Sequence, residues 1–426
     1  MKPHHIAVVA PPLPGHWDPL KVLAGELVER GYRMTFIHMP DAAPMVAGTP
    51  FGFASVGTGT HGRGALADYR ARLARAPSLT GFLPMMRATA SMSAMLLQDL
   101  PAAFAAAKID AVIADETEPA GAIVSRHLGL PYVTSITGLP LLRDPQVPPP
   151  FLGWDFRDDE AGLKRNRGGW RVADRLMRPI RRVLEQHARV WSIDLAEIER
   201  GSPLLQVAQC PPQLDFPRAG LPASFRYCGP FAPPVEQGPE LPDDLPLVYC
   251  SLGSLQGGRW RVFADMAAAC SDVGARAIIA HGGLLDTADV ARLPRDALVG
   301  AHWPQPAVLP RCRAALLHGG FNTVLHALQA GVPLVVAPLA FEQAGTAARV
   351  AWTGAGISLP RRSLDRRGLR ESLRRVLNDQ RFRAAAARLA GGMAALGGAA
   401  MAADLIDAAL KNKALDSETA VAAAPC

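Results

Sequence analysis

His16 lies in the stretch Pro11-Pro12-Leu13-Pro14-Gly15-His16-Trp17-Asp18, directly after the short apolar run Ile6 to Ala10. Imidazole is the usual general base near neutral pH, yet a single histidine is equally compatible with an ordinary loop residue. A second apolar run, Ala111 to Ala114, ends at Asp115-Glu116. If both runs are strands of one parallel sheet, a carboxylate at that end reaches His16 and holds its ring in the orientation and tautomer a base requires. Asp115 is the better placed of the two acids because it follows the run directly; a helix cap or a surface charge is the plainer alternative.

A different chemistry is written into residues 301–343. Ala314 to Leu317 has strand length, His318-Gly319-Gly320 comes next, and Val324, Leu325, Leu328 and Gln329 then recur at helical spacing. A strand therefore runs through two glycines into a helix N-terminus, where free backbone N–H groups and the helix dipole favour phosphate. Asn322 and Thr323 add side-chain donors at that turn, and Pro338 to Gln343 forms a loop at the carboxyl end of the next strand. Ser251-Leu252-Gly253-Ser254-Leu255-Gln256-Gly257-Gly258, after the apolar run Leu247 to Cys250, reads as a second phosphate cradle. Neither turn carries G-x-G-x-x-G or a P-loop lysine, so a dinucleotide fold and an NTPase are both unsupported.

Two doubly wound α/β domains are needed to position these groups. Strand and helix patterns alternate from Ile6 through Arg33 to Met39, and again through Leu247 to Cys250, Ala275 to Ala280 and Ala297 to Ala301. Asp18 reads as an N-cap with Pro19 at the first helical position, and Leu20, Leu23, Ala24, Leu27 and Val28 form the apolar face of that helix. The proline-rich stretch from Pro230 to Pro246 has the composition of an interdomain linker. The expected division is a first domain at 1–228, a linker at 229–246, a second domain at 247–398, a helix at 399–412 and an unstructured tail at 413–426.

Composition narrows the class. A chain of 426 residues with 49% apolar and 19% charged residues fits two globular domains. No apolar run is expected to cross a bilayer and the N-terminus does not read as a signal peptide, so a cytoplasmic protein is expected. Six cysteines without C-x-x-C or ligand-like spacing to histidine read as reduced thiols, with no metal site. A net charge of +7 alone does not select nucleic acid, an anionic substrate or a membrane. Residues 164–200 interleave arginines with aliphatics at helical spacing, broken or kinked at Pro179. Such a segment lies on an anionic membrane surface or forms a solvated face.

The stretch 301–343 resembles the donor-binding signature of nucleotide-diphosphate-sugar glycosyltransferases of the GT-B fold, and Gly15-His16 with Pro19 resembles their Gly-His-x-x-Pro. Within these, the chain is most similar to bacterial zeaxanthin glucosyltransferases of carotenoid pathways. That similarity rests on A-P-P near the start, I-A-D-E-T-E-P-A-G-A at 113–122, L-D-F-P-R at 214–218, S-L-G-S-L-Q-G at 251–257, H-G-G-F-N-T-V-L at 318–325 and P-L-A-F-E-Q at 338–343. The resemblance implies UDP-glucose as co-substrate, no metal ion and no nucleic acid. It makes His16 the base, oriented by Asp115, and implies inversion at the anomeric carbon. Ser254, His318, Gly320, Asn322 and Thr323 would hold the diphosphate, and Glu342 and Gln343 the sugar hydroxyls. Gln at the last position goes with glucose in related plant enzymes.

Two positions depart from the family pattern. Counting back from Pro304-Gln305, the base-stacking tryptophan position is His302, with Trp303 one residue later, so either ring is a candidate to cover the uracil. The position of the acidic ribose ligand is His326, and a neutral imidazole offers one acceptor where a carboxylate offers two oxygens. The acceptor would meet residues 40–95 and 140–170, rich in Met, Phe, Leu and Pro and read as loops; a hydroxylated carotenoid fits them, and so does a macrolide, polyketide or flavonoid. A sugar-nucleotide epimerase shares the architecture, but the Gly-His-x-x-Pro loop and the Glu-Gln pair argue against it. The presence of both His16 and Asp115 argues against a non-catalytic binding protein.

Overall fold

The computed structural model describes residues 4–75, 81–235 and 237–422, with side chains to Lys413. The first sheet has β1 (His5–Val9), β2 (Arg33–His38), β3 (Gly52–Ser55), β4 (Ala111–Asp115), β5 (Tyr132–Ile136), β6 (Gln206–Ala208) and β7 (Phe225–Tyr227), in the order 3-2-1-4-5-6-7. The second has β8 (Leu247–Ser251), β9 (Arg276–Ala280), β10 (Leu298–Gly300), β11 (Cys312–Leu317), β12 (Leu334–Val336) and β13 (Gly356–Ser358), in the order 10-9-8-11-12-13. Neighbouring strands pair in parallel, and β1, β4, β5 and β8 are buried at every position, as expected for strands covered by helices on both faces.

The strand order reverses direction between β1 and β4 in the first sheet and between β8 and β11 in the second. Open α/β sheets bind ligands just outside the carboxyl ends of strands at such reversals. His16 follows β1 and Asp115 ends β4; Ser254 follows β8 and His318-Gly319-Gly320 follows β11. All four motif groups therefore fall at the two reversal points.

Several expectations are corrected. The first helix runs Pro14–Glu29, so His16 sits on its first turn, Asp18 is not the N-cap and Pro19 lies inside the helix. Pro14 supplies the helix start, since a proline's missing N–H costs nothing in a first turn. Residues 40–95, expected as loops, contain β3 and the helices Ala65–Arg75 and the start of Phe82–Ala107, with 76–80 outside the described residues. The basic segment is helical and broken near Pro179 as expected, forming helices Glu160–Leu176, Arg178–Val190 and Leu195–Glu199, with the break at Met177 and Pro179 in the next first turn.

The C-terminal segments tie the halves together. The Gly398–Ala422 helix returns to the first domain, where Ala399, Ala402, Ala403, Ile406 and Leu410 join its core and Tyr32 donates to Asp407 at 2.8 Å. It extends into the tail expected to lack structure, whose last residues, 423–426, lie outside those described. Among the described residues one stretch, Gln380–Lys413, is long and apolar enough to cross a membrane, at a mean hydropathy of 1.5. It is interrupted between Ala394 and Gly398, and Ala385, Ala386, Leu389 and Met393 are buried in the second domain.

A buried ion cluster also crosses the domains. Asp215 takes Arg218 at 2.7 Å on one oxygen and Arg349 at 3.0 Å on the other, with the Tyr227 hydroxyl donating at 3.0 Å. Arg349 belongs to the Gln343–Trp352 helix of the second domain and also stacks over Phe216. A carboxylate with this many donors is satisfied despite burial, and losing one partner would leave an uncompensated charge.

Candidate active site

Parallel pairing of β1 with β4 brings the end of β4 beside the first turn of the Pro14–Glu29 helix. His16 Nδ1 lies 3.1 Å from Asp115 Oδ2 and 2.9 Å from the Thr137 hydroxyl. Thr137 donates to Asp115 Oδ2 at 2.7 Å, so its single proton is used there and its oxygen accepts from His16 Nδ1–H. The other carboxylate oxygen accepts from the Thr117 backbone N–H at 2.9 Å and from its hydroxyl at 2.5 Å. With Nδ1 committed as donor, Nε2 carries the lone pair. His16 keeps 22% of its side-chain surface open, whereas Asp115 is fully enclosed.

The electrostatics agree with that tautomer. Burial alone would depress the His16 pKa, but the Asp115 carboxylate beside it and, more weakly, Glu342 across the cleft raise it above 6.5. Burial would raise Asp115, yet His16 and Thr117 hold it below the ordinary carboxylate range. A carboxylate that stays ionised stabilises the imidazolium formed when the base takes a proton. Burial pushes Glu342 up, so it is the less readily ionised of the two acids facing His16.

Thr137 is not identifiable from sequence, because nothing local marks a hydroxyl one residue beyond β5 as facing a histidine. Thr137→Val is expected to lower kcat about tenfold through loss of one hydrogen bond to a charged network, and Thr137→Ser to restore it, in a steady-state assay.

The turn after β11 is built as its glycines require. Gly319 has φ +96, and a Cβ there would lie 3.0 Å from Gln343 O and Val336 Cγ1, so only glycine fits. Gly320 caps the Phe321–Gln329 helix. The His318 ring packs against both Gly253 and Gly320, and its buried Nδ1 has no hydrogen-bond partner. Burial pushes His318 down to about 4, so at neutral pH its imidazole is neutral. Ser254 is exposed beside this ring on the short Gly253–Gln256 helix.

Asn322 and Thr323 open the helix, but Asn322 is already spanning the domains. Its Nδ2 donates to Gly15 O at 2.8 Å and its Oδ1 accepts from Gln209 Nε2 at 2.7 Å. Pro19 explains the first contact: without an N–H it leaves the Gly15 carbonyl without its helical donor. Gln209 also donates to the Thr137 backbone oxygen. A chain of contacts thus joins the phosphate turn to the residues that orient His16, through Gln209, which no sequence signal marks.

Gln305 accepts from His326 Nδ1 at 2.8 Å and donates to the Tyr249 hydroxyl at 3.3 Å and to Thr323 at 3.4 Å. Burial pushes His326 down to about 4, leaving a neutral ring whose Nε2 is an acceptor. The Trp303 indole is fixed by donation to Ile279 O at 3.0 Å, while His302 is exposed. Gln343 is buried, and its side-chain oxygen takes the N–H groups of Leu339 and Ala340, both at 2.9 Å. That contact shapes the 338–343 loop, in which Phe341 holds an uncommon φ of 54. Glu342, one residue earlier than Gln343, faces His16.

Two facing Rossmann-like domains, with an oriented histidine on one and a glycine turn at a helix N-terminus on the other, have the GT-B architecture. Comparisons with known proteins agree. Residues 266–406 match the model of the erythromycin biosynthesis protein CIII-like C-terminal domain. The chain is 35% identical over 414 residues to a zeaxanthin glucosyltransferase of Pantoea ananas, covering 95% of each, and 34% identical over 417 residues to one from Pseudescherichia vulneris, covering 95% of this chain and 98% of that one. A glycosyltransferase of kitacinnamycin superposes with a TM-score of 0.75 at 21% identity, covering 96% of this chain and 100% of that one. The calicheamicin glycosyltransferase gives 0.70 at 24% identity, covering 96% and 99%. The chain belongs to the glycosyltransferase family of the zeaxanthin glucosyltransferases.

Proposed function

We propose that the protein transfers glucose from UDP-glucose, with inversion, to a terminal ring hydroxyl of zeaxanthin or a related hydroxylated carotenoid. The observation that carries the chemistry is the His16–Asp115–Thr137 arrangement, which commits Nδ1 and leaves Nε2 as the base. Both of these relatives, matched along 95% of the chain, are zeaxanthin glucosyltransferases, which supports the acceptor class.

In this reading Nε2 takes the acceptor proton while the acceptor oxygen bonds to the anomeric carbon from the face opposite the nucleotide. The bond from that carbon to the diphosphate oxygen breaks, and its electrons leave on UDP. Asp115 stabilises the resulting imidazolium. The Phe321–Gln329 helix N-terminus, Ser254, the neutral His318, Gly320, Asn322 and Thr323 stabilise the leaving diphosphate. Asn322 does so by exchanging its present contacts. Trp303 or the exposed His302 covers the base, Gln305 and His326 address the ribose, and Glu342 and Gln343 the sugar. The reading calls for no metal ion, because neutral donors and a helix terminus supply the stabilisation. The donor is drawn from the cytoplasm, and the acceptor from the membrane that holds it, through the basic segment 164–200.

Mass spectrometry of reactions with UDP-glucose and zeaxanthin, a macrolide or a flavonoid, each with and without chelator, tests this. One or two hexose units on zeaxanthin, at the same rate in chelator, is the expected result. Modification of another acceptor alone would remove the carotenoid assignment, and a rate lost to chelator would remove metal independence.

A further inference from the structure

The Glu160–Leu176 helix exposes two adjacent stripes. Lys164, Arg167, Arg171, Arg175 and, just beyond the end, Arg178 recur at three- and four-residue spacing, all exposed, and none forms an ion pair within 4.0 Å among the described residues. Gly168, Val172 and Leu176 run beside them, with Val172 52%, Leu176 40% and the neighbouring Met177 42% exposed. Large aliphatics left in water among unpaired cations match a surface that is apolar beneath and negatively charged above.

Between this helix and the turn before it lies an open cleft of about 590 Å³, lined by Leu152, Trp154, Ala161, Gly168 and Val172 together with the stems of Lys164 and Arg165. Its glycines differ in kind. A Cβ on Gly169 would lie 2.7 Å from Trp154 and 2.9 Å from Leu152, so packing requires that glycine. A Cβ on Gly168 would meet nothing within 4 Å. Glycine inside a helix is unfavourable relative to alanine, and no neighbour in the chain needs Gly168 to be small. The space beside Gly168 is open to the cleft.

We propose that this helix face docks on an anionic lipid bilayer and that the cleft beside Gly168 receives one apolar chain from it. The proposal rests on the lipophilic-acceptor reading above and gives it a location. The cleft wall is the Pro150–Leu152 turn, which continues through Gly153 onto Ala344 and packs Pro150 on Gly345, the residues directly after Glu342 and Gln343. A chain entering there comes within one turn of the sugar-binding loop.

Co-sedimentation of the full chain with vesicles of phosphatidylglycerol and phosphatidylcholine, against phosphatidylcholine alone, tests it. Wild type should sediment with the anionic vesicles, less so at high salt, and not with neutral ones. The triple variant Arg167→Gln, Arg171→Gln, Arg175→Gln should lose about 100-fold in partition, from roughly fivefold per cation removed. Gly168→Gln should melt no lower than wild type, because glutamine is the better helix former, yet bind anionic vesicles several-fold more weakly, because it fills the cleft with a polar side chain. Equal sedimentation of the triple variant, or equal binding to neutral vesicles, would overturn the docking surface; unchanged binding by a folded Gly168→Gln would overturn the cleft. Transfer of glucose by wild type to detergent-dispersed zeaxanthin is measured on the same preparation. If wild type itself fails that transfer, the acceptor reading falls while the vesicle result still decides the surface.

Discussion

Replacing His16 with alanine lowers kcat by about 10² to 10⁴, the range for loss of a positioned general base, while UDP binds as before. The separation arises from where the residue stands. His16 lies on the first domain, and its polar contacts are Asp115, Thr137 and Thr117, whereas the phosphate turn is built on β11 and the Phe321–Gln329 helix of the second. Isothermal titration with UDP and initial-rate measurements on the same preparation check both halves. Retained turnover would remove His16 from the chemistry, and a parallel loss of UDP affinity would mean that the variant disturbs the domain contact instead.

Asp115→Asn has an effect of similar size, about 10² to 10⁴ in kcat, for a reason specific to this network. Oδ1 of Asp115 accepts from the Thr117 backbone N–H, a donor that cannot turn away. An asparagine must therefore place its oxygen there and its NH2 toward His16, where it donates to Nδ1. The ring's proton moves to Nε2, and the lone pair needed for the reaction is lost. The pH profile moves as well. His16 is held above its ordinary pKa by Asp115, so activity in wild type falls with decreasing pH as the imidazolium forms. Without the carboxylate, burial dominates and the His16 pKa falls, so the acid limb of the residual activity lies at lower pH. An acid limb that stays in place would contradict the assignment of Asp115 as its cause.

Much of this site is legible without the fold. The apolar runs ending at Ala10, Ala114, Cys250 and Leu317 are strands covered on both faces, and such strands announce themselves by composition. Parallel order within each sheet then places the residues just beyond the carboxyl ends along one edge, which is why His16 meets Asp115 in the first sheet and Ser254 lies near the His318 turn in the second. Misreadings arise where two local signals compete. Asp18-Pro19 has the form of a helix start, but Pro14 comes first, and Pro19 instead strips a donor from Gly15 and opens its carbonyl to Asn322. Residues 40–95 read as loops because their Met, Phe and Pro content obscures helices such as Phe82–Ala107, whose Pro101 is interior.

Sequence spacing does not supply partners distant along the chain. Thr137, Gln209 and the Asp215–Arg349 pair act across 121, 113 and 134 residues respectively. L-D-F-P-R is visible as a motif, and its physical reason, a carboxylate shared between an arginine of each domain, emerges only in three dimensions. The same holds for the basic helices, whose spacing gives an amphipathic pattern while the Gly168 cleft beside them depends on the Leu152–Trp154 turn.

The central claim is a single displacement driven by one oriented base. The proton NMR spectrum of the glucosylated product at its new anomeric centre tests this most directly. UDP-glucose carries the α configuration, so one displacement with His16 as base gives a β-linked glucose. An α-linked product would contradict the account, because it requires a second displacement or front-face attack that His16 and Asp115 are not arranged to support.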